Sequence, residues 1–496
     1  MQSIKTTNKN TLLHLGVLFL ITPVFGLFSY NSGFGYDALE YLVIGRSLND
    51  GYQMYDFIPS KSWFWYVFVQ KSINLLGGNF THFTVTILIV LEFIGIGLSS
   101  YVVTNKLTKH TQTAFISALL SLLCCFFMEI NFLEPEAPIA ILAIWSLYFL
   151  AKNKNSDWFI GGVILGIAMT FKSIAMFYIA GAGIYLFYEC FFIKKTTFWQ
   201  ITQKGTLILA GFAVPLLLSI LYFYQLNRLD QHIYWSYIYP FGSYPAHTIF
   251  LKKLLIKTFW FILLTIVSIV LALSVKDKSK YWNNTTFMIS LFFGIFSLVS
   301  LMKSQASHYF YPAAPFFSVV IAMVYTHFSK IYEQKLNRVY LAIGGLSILV
   351  LTITFVTRRE VVQRLAKIDD FAIEKTYEST VNRNLKTGDK ALLIDFGSLF
   401  YFHSHRYPNV PFINTEMQTS DYIKTHTDVY EKSLQDTTLK LVIFGFRSTV
   451  IDDSSKVNTP ENKIALDKLR QELNKNFTVE TDSVLFIKLW HRKSTK

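Results

Sequence analysis

Residues 32–61 read SGFGYDALEYLVIGRSLNDGYQMYDFIPSK and come shortly after the first long apolar run of the chain. Within them, Asp37, Glu40, Asp56 and Lys61 bring charged side chains close to an apolar segment. Placing a charged group at or within a membrane costs free energy, so the charged residues found there are generally paired or serve a function. What these charges do therefore depends on the class of protein that carries them.

The composition identifies that class. Of the 496 residues, 52% are hydrophobic, 17% are aromatic and only 16% are charged. The apolar residues occur in blocks of roughly 20, enough for a helix to cross a hydrocarbon core about 30 Å thick. We therefore predict an all-α polytopic membrane bundle of about eleven transmembrane helices, or ten to twelve because two of the spans are short and almost continuous. The predicted spans lie near residues 11–29, 82–103, 112–130, 135–151, 158–170, 172–191, 206–226, 254–274, 285–302, 308–327 and 338–356.

The placement of positive charge predicts the orientation of the chain. A net charge of +14 suggests nucleic acid in a soluble protein, but here the lysines and arginines concentrate in alternate loops, so no nucleic acid is predicted as a partner. These basic loops read NKLTKHT, AKNKNSD, FFIKKTTFWQITQK, SVKDKSKYWNN and FSKIYEQKLNR. If they are cytoplasmic together with the N-terminus, an odd number of spans places both the first loop, residues 30–80, and the C-terminal tail outside the cytoplasm.

The composition changes after Val356, where charged residues become frequent and the apolar runs shorten. The segments KALLIDF and KLVIFGF are typical of buried strands, and FTVETDSVLFIKLWHRK of a hairpin. Helical segments separate them: AIEKTYESTVNRNL, MQTSDYIKTHTDVYEKSLQD and NKIALDKLRQELNKN. We predict two domains, a transmembrane domain of residues 1–356 and an extracytoplasmic α/β domain of residues 357–496. His403 and His405 stand without acidic or cysteine partners at ligand spacing and are interpreted as surface or core residues.

The first loop is predicted to contain two interfacial helices. YDALEYLVIGRSLNDG has Asp37 in its first turn, where the helix dipole favours a carboxylate, and Gly51 just past its end. Its apolar positions predict a helix in the plane of the membrane interface, with its carboxylates turned toward a cavity. KSWFWYVFVQKSINLLG predicts a second, aromatic helix at the level of the headgroups.

This arrangement of an acidic helix, a lysine and an aromatic helix resembles the first periplasmic loop of the GT-C glycosyltransferases, including their protein O-mannosyltransferase-like and aminoarabinose-transferase-like members. The motif here is Asp37 followed by GYQMYDFIPSK, residues 51–61. The family typically continues with one or two prolines after the lysine, whereas this chain has KSWFWY. The absence of these prolines affects the shape of the loop, but the positive charge of Lys61 is still present.

Three further segments resemble the same family. EINFLEPEAPIAILAIWSLYFLAKN places Glu134 and Glu136 at the outer end of the fourth span. WFIGGVILGIAMTFKSIAMF is similar to a glycine-spaced fifth span followed by Lys172, and KSQASHYFYPAAPFF, with His308 and Tyr309, to the opening of a late span. The glycine spacing itself is interpreted as helix packing.

The resemblance implies an inverting glycosyltransferase that moves a sugar from a polyprenyl-phosphate donor to an acceptor hydroxyl on the extracytoplasmic side. It implies Asp37 as the catalytic base. Cations are needed where the leaving phosphate gains charge, and the candidates for binding it or the substrate are Lys61, Lys172, His308 and Tyr309. Four further acids are either walls of the same cavity or ordinary loop acids: Glu40, Asp56, Glu134 and Glu136.

No cofactor is required by this chemistry. A divalent metal is compatible with the acidic residues but not demanded by them. The predicted partners are the lipid-linked sugar donor and membrane lipids, while lipid, protein and polysaccharide all stay open as the acceptor. The predicted location is the cytoplasmic membrane of a bacterium.

Two other functions share many of these features. A flippase or transporter of lipid-linked sugars also has many spans, but the sequence shows no inverted repeat and no charge in mid-span of the kind such proteins use. A polysaccharide polymerase or ligase with the same donors also needs an extracytoplasmic cavity with acids and cations. The position of the key acid in the first loop favours the glycosyltransferase.

Overall fold

The computed structural model divides the chain into two compact units. Unit 1 contains residues 1–33, 62–65 and 76–366, and unit 2 contains residues 34–61, 66–75 and 367–496. The structure describes residues 10–24, 36–57, 62–128, 133–241, 251–275, 277, 279–302, 307–331, 379, 383–386, 389–394, 401–402, 404–411, 427–444, 460–482 and 487–493.

Unit 1 is helical in its described part. Helices adjacent in the chain pack against each other, as His82–Thr108 does on Thr111–Met128 and Glu136–Lys152 on Asn155–Phe171, and Ala314–Ile331 packs against Thr111–Met128. The helices are α1 (Asn10–Val24), α4 (His82–Thr108), α5 (Thr111–Met128), α6 (Glu136–Lys152), α7 (Asn155–Phe171), α8 (Met176–Tyr188), α9 (Phe198–Gln225), α10 (Leu229–Ile233), α11 (Tyr239–Phe241), α12 (Leu251–Ser274), α13 (Ser279–Trp282), α14 (Thr285–Ser297) and α15 (Ala314–Ile331). Short 3-10 helices occupy Ser173–Ala175, Leu298–Met302 and Ser307–Ala313, and π-helical turns occupy Glu189–Ile193 and Tyr234–Ile238.

The helices coincide with the predicted spans. Every predicted span overlaps a helix of the structure except the one near 338–356, which lies outside the described residues. In the part of the chain that the structure describes, four helical segments are long and apolar enough to cross a membrane: Phe83–Thr108, Ser173–Ile193, Phe198–Gln225 and His308–Ser329. Shorter apolar helices occupy Asn10–Val24, Thr111–Phe126, Thr258–Ser274 and Thr285–Leu301. The prediction of a helical membrane bundle is confirmed, and the count of eleven stays a prediction.

Helices α7 and α9 touch through glycines. A Cβ atom added at Gly162 lies 2.2 Å from the carbonyl oxygen of Ile208, and one added at Gly211 lies 2.1 Å from that of Phe159. Both distances are far below van der Waals contact, so only hydrogen fits between the two backbones. This close approach supports the interpretation of the glycine spacing as helix packing.

Replacing Gly211 by alanine should destabilise the bundle. The added methyl group has no space beside the Phe159 carbonyl, so the two helices must separate, and overpacking of this kind costs about 1–3 kcal/mol. We expect a lower midpoint of thermal unfolding in detergent. Gly205→Ala in the same helix is the control, because nothing lies within 4 Å of its added Cβ. Equal midpoints for the two variants would contradict this packing.

Unit 2 contains two helices of the first loop and the C-terminal α/β fold. The helices are α2 (Tyr36–Asn49), α3 (Trp63–Leu75, whose residues from Tyr66 onward belong to this unit), α16 (Thr427–Gln435) and α17 (Pro460–Asn476). The strands are β1 (Lys390–Ile394), β2 (Leu439–Phe444), β3 (Phe477–Asp482) and β4 (Ile487–Arg492). They form one sheet in the order β1-β2-β4-β3, in which β1 and β2 are parallel and β4 is antiparallel to both of its neighbours.

The predicted strands and the last helix occur where the sequence placed them. Of the two earlier predicted helices, most of AIEKTYESTVNRNL lies outside the described residues, and MQTSDYIKTHTDVYEKSLQD is described from Thr427 as α16. Apolar side chains of both described helices fill one core with the sheet: Leu392, Val410, Tyr430, Leu434, Leu439, Val442, Leu469, Leu473 and Phe477. The domain boundary at residue 356 lies outside the described residues and stays a prediction.

The structure corrects the prediction for α2. Residues 38–47 are all buried, including Glu40, so the helix has no solvated face along this part of its length. The reason is in the sequence: Leu39, Leu42 and Val43 occupy one side, and Tyr41 and Ile44 make the next side apolar as well. A helix that is apolar on most sides is enclosed by protein rather than laid on a surface.

Candidate active site

Unit 1 holds a buried ion pair between two of the predicted site residues. Nζ of Lys172 donates to Oε1 of Glu136 at 2.5 Å, the glutamate side chain is fully buried, and the lysine side chain is 11% exposed. Oε2 of Glu136 has no hydrogen-bond partner among the described residues. The pair joins two segments that are 36 residues apart.

Local structure explains why each charge lies at a helix end. Glu136 is the first residue of α6 and follows Pro135, and a carboxylate is favoured at the positive end of the helix dipole. Lys172 is the C-cap of α7 in extended conformation, where a cation is favoured, and its N–H reaches the carbonyl of Ala168. The chain then restarts as a 3-10 turn, which leaves the lysine side chain at the end of the bundle.

His308 and Tyr309 complete the surroundings of this lysine. Nζ of Lys172 lies 4.5 Å from the centroid of the Tyr309 ring, and the rings of His308 and Tyr309 are 4.7 Å apart. Both aromatic residues are on the 3-10 helix Ser307–Ala313, which is fixed where Tyr178 donates a 2.8 Å hydrogen bond to the carbonyl of Pro312. Lys172 belongs to one sequence motif and His308 and Tyr309 to another, and the fold brings the two motifs together.

Glu134 lies close to the same residues. Its side chain is fully buried, and one of its carboxylate oxygens lies within 4.8 Å of a ring nitrogen of His308. Carboxylate oxygen and imidazole nitrogen are donors that a divalent metal accepts. Glu134 and His308 are therefore the residues of unit 1 that can contribute to holding one, and two ligands alone do not make a complete metal site.

The lysine keeps its proton in this environment. Burial by itself lowers the pKa of Lys172, but the negative charge of Glu136, supported by Tyr309 and Glu134, more than offsets it and holds the pKa well above its ordinary value. The ammonium group is therefore charged throughout the physiological pH range. It has three N–H donors, and Glu136 takes one of them.

Sequence reasoning missed Glu92. It lies within α4, and its carboxyl interacts electrostatically with Glu134 and Glu136, so it belongs to the same acidic environment. Oε1 of Glu92 is buried and has no hydrogen-bond partner in the described part of the chain. Glu92 is therefore an ionisable residue within the predicted span near 82–103 that the comparison with transporters overlooked. The available signal was the single acid in the apolar segment ILIVLEFIGIG.

The predicted residues of the first loop belong to unit 2. Asp37 is partly exposed in the first turn of α2. Oε1 of Glu40 accepts a 2.9 Å hydrogen bond from the hydroxyl of Tyr66, and Asp56 accepts one from the backbone N–H of Gln53 within a local turn. Lys61 lies outside the described residues.

Tyr66 stays protonated in its contact with Glu40. Burial and then the charge of Glu40, with a smaller contribution from Asp37, raise the pKa of Tyr66 well above its ordinary value. Tyr66 therefore remains a neutral phenol that donates to the carboxylate. This bond ties α2 to α3, a structural role that accounts for the burial of Glu40.

Comparison with known proteins agrees with the resemblance drawn from the sequence. Residues 61–223 match the family model of the dolichyl-phosphate-mannose-protein mannosyltransferases. No curated protein matches the chain.

Solved structures of low sequence identity share the fold. ArnT from Cupriavidus metallidurans, bound to undecaprenyl phosphate, has a TM-score of 0.63 at 10% identity, with 98% of each chain covered. Its apo form has a TM-score of 0.61 at 12% identity, covering 89% of this chain and 94% of that one. The oligosaccharyltransferase AglB from Archaeoglobus fulgidus, in complex with an inhibitory peptide and a dolichol-phosphate, has a TM-score of 0.50 at 11% identity, covering 98% of this chain and 74% of that one. The chain therefore shares the fold of these solved GT-C glycosyltransferases, and its residues 61–223 match the mannosyltransferase family model.

Proposed function

We propose that this protein is a membrane glycosyltransferase, which moves a sugar from a polyprenyl-phosphate donor to an acceptor hydroxyl, with inversion, on the extracytoplasmic side of the membrane. The observation that carries the proposal is the protonated, partly accessible Lys172, held at the end of the bundle by Glu136 and flanked by His308 and Tyr309. The polyprenyl phosphates bound by ArnT and AglB support a donor of this class.

Lys172 is proposed to bind the donor phosphate. When the bond between the anomeric carbon and the phosphate oxygen breaks, the electron pair stays on the oxygen, and the leaving polyprenyl phosphate gains negative charge. A buried ammonium group with unused donors stabilises this charge strongly because little water competes for it. His308 is proposed to donate to the same phosphate, and Lys61 is a further predicted partner of it.

Asp37 is proposed as the base. The acceptor hydroxyl attacks the anomeric carbon from the side opposite the phosphate, and its proton passes to a carboxylate within hydrogen-bond reach. A single displacement of this kind inverts the configuration at that carbon. The carboxylate also stabilises the positive charge that develops on the sugar ring.

The distribution of charge in unit 1 supports the proposed side of the membrane. The acids and Lys172 lie at one end of the helices, at the start of α6 and the end of α7. At the other end of the bundle, Lys106 in the last turn of α4 and Lys152 in the last turn of α6 lie over the ring of Tyr148, at 5.1 and 4.1 Å from its centroid. Lysine-rich helix ends face the cytoplasm by the positive-inside rule, so the end that holds Lys172 is assigned to the other side.

A transfer assay tests the proposal. The purified protein is reconstituted in liposomes with polyprenyl-monophosphate sugars extracted from bacterial membranes and with candidate acceptors, and the anomeric configuration of the product is read by NMR. We expect an inverted product from monophosphate donors. Movement of donor lipid between leaflets without any sugar transfer would overturn the proposal in favour of a flippase, and use of diphosphate-linked oligosaccharides alone would favour a polymerase or ligase.

We expect removal of divalent metals to leave the rate unchanged. Lys172 already supplies positive charge where the phosphate leaves, so the chemistry needs no Lewis acid there. The measurement is the initial rate before and after treatment with EDTA, followed by addition of Mg²⁺, Mn²⁺ or Zn²⁺. A loss that one of these ions restores would contradict metal-free catalysis and would identify Glu134 and His308 as residues to test as ligands.

A further inference from the structure

We propose that Arg46 is a positioning residue, through which the C-terminal domain fixes the helix that carries Asp37. This inference rests on the proposed role of Asp37 as the base. It assigns a function to the C-terminal domain, and it concerns a residue that does not itself touch the reacting groups.

Arg46 is buried, with 8% of its surface exposed, and its guanidinium group points into a short segment more than 350 residues away in the chain. Its hydrogen-bond partners are the carbonyls of Tyr401 (2.6 Å), Phe402 (3.1 Å) and Arg406 (3.4 Å), the hydroxyl of Tyr407 (3.2 Å) and Nδ1 of His405 (3.2 Å).

This set of partners is unusual for a buried charge. Within the described residues no carboxylate forms an ion pair with Arg46, so its hydrogen-bond partners are three carbonyls, a hydroxyl and a ring nitrogen. Burial of a charge costs free energy unless it is fully hydrogen-bonded, and the planar fork of arginine can satisfy several carbonyls at once, as a lysine cannot. The arrangement is therefore specific for arginine.

The segment that receives Arg46 is itself firmly attached to the sheet. Pro408 forms a bridge with Ala391 of β1, and Val410 belongs to the core of the domain. Arg406 donates to the carbonyls of Asp389 and Lys386, which adjoin the same strand. Arg46 is therefore anchored to the rigid part of the domain.

Contacts of Tyr407 extend the anchor beyond the helix. Its hydroxyl donates to the carboxylate of Asp50, and its ring lies 5.0 Å from the ring of Tyr52 and 5.6 Å from that of Phe57. One tyrosine of the C-terminal domain thus holds the end of α2 and the turn that follows it.

Asp37 and Arg46 lie on one rigid element. Nine residues of α-helix span about 13.5 Å, so a tilt at one end displaces the other. The Glu40–Tyr66 bond and the hydrogen bond from Gln70 to Asn49 tie the same helix to α3. Loss of the Arg46 contacts frees the C-terminal end of α2 from the C-terminal domain. Asp37 then loses its fixed orientation, although its carboxylate can still accept a proton.

The experiment compares Arg46→Met and Arg46→Lys with a matched control, Arg492→Met, in the full-length protein. Arg492 likewise donates to three carbonyls, those of Leu434, Asp436 and Leu439, but all of them belong to the C-terminal fold. Measured for each variant are the thermal midpoint, the binding of undecaprenyl phosphate, and kcat and KM for the donor.

We expect Arg46→Met to lower kcat by about ten- to a hundredfold at unchanged donor KM, since a displacement of about 1 Å can cost a hundredfold in rate. Arg46→Lys should recover only part of this loss. Arg492→Met should lower the thermal midpoint without changing kcat per folded molecule. An unchanged kcat in Arg46→Met, or an equal fall of kcat in Arg492→Met, would overturn the inference.

A milder variant keeps the test valid if Arg46→Met does not fold. Tyr407→Phe removes only the hydroxyl that joins Arg46 to Asp50, and we expect it to lower kcat without changing donor KM. Failure of the proposed function has a different signature. In that case Asp37→Asn is as active as the wild type, whereas failure of the anchor alone leaves Asp37→Asn inactive and both Arg46→Met and Tyr407→Phe active.

Discussion

Replacing Asp37 by asparagine should lower the initial rate of sugar transfer by about 100- to 10,000-fold, the range by which a positioned general base contributes. Asparagine has nearly the same shape and still forms hydrogen bonds, but it cannot accept the proton of the acceptor hydroxyl. Asp37 lies in the first turn of α2, partly exposed, in a helix whose next residues are buried. A carboxylate in such a place is held firmly and is still accessible to substrate.

The control for this prediction is Asp56→Asn. Asp56 also lies in the first loop, but it accepts the N–H of Gln53 within a local turn, so its replacement should leave the rate close to that of the wild type. Binding of undecaprenyl phosphate by the Asp37 variant should be unchanged. A fully active Asp37→Asn protein would remove this residue from the mechanism, and equal losses in both variants would indicate that the charge of the loop matters rather than one base.

Much of the fold was predictable because bilayers impose a simple rule. Each apolar block had to become a helix, since no other local structure satisfies the backbone in lipid. The location of Glu136, Lys172 and His308 on one side of the bundle was predictable for a similar reason. Each lies at a span end, and because the chain crosses the membrane an even number of times between them, these ends lie on the same side. In unit 2, the strands were recognisable from short apolar runs.

What sequence reasoning missed depends on contacts between distant segments. Arg46 lies within a predicted helix, and nothing in the local sequence indicates that its partners lie more than 350 residues away. The same limit explains α2, whose burial depends on what surrounds it. Glu92 is a different case, because a lone acid inside an apolar span is itself a signal of function and needed only to be noticed.

The second large effect is expected for Lys172. A single Lys172→Met substitution is a poor test, because it leaves Glu136 as an unpaired buried charge, and breaking a buried pair from one side destabilises a protein by about 3–5 kcal/mol. The double variant Lys172→Met/Glu136→Gln removes both charges at nearly constant volume. It should remain folded and lose about 100- to 1,000-fold in rate, as expected when a preorganised group that stabilises developing charge is removed.

A second ion pair of unit 1 provides the matched control. Nζ of Lys204 lies 3.3 Å from Oε2 of Glu189, with side-chain exposures of 7% and 3%, so burial and chemistry resemble those of the Lys172 pair. Lys204→Met/Glu189→Gln should change the thermal midpoint to a similar extent and leave the transfer rate intact. Equal loss of activity in the two double variants would mean that Lys172 acts only through stability.

The pH dependence separates Lys172 from the other groups. A lysine whose pKa is raised keeps its charge up to that raised pKa, so its contribution is constant through neutral pH and is lost only on the far alkaline side. Deprotonation of Lys172 should therefore cause no fall of the wild-type rate near pH 8 to 10. The pH profiles of the wild type and of Lys172→Met/Glu136→Gln should have the same shape in this range. A fall in that range that disappears in the double variant would show that Lys172 loses its proton there, which contradicts its pairing with Glu136. A constant rate would agree with a cation that stays charged to bind the phosphate, while the proton transfer of the reaction takes place at Asp37.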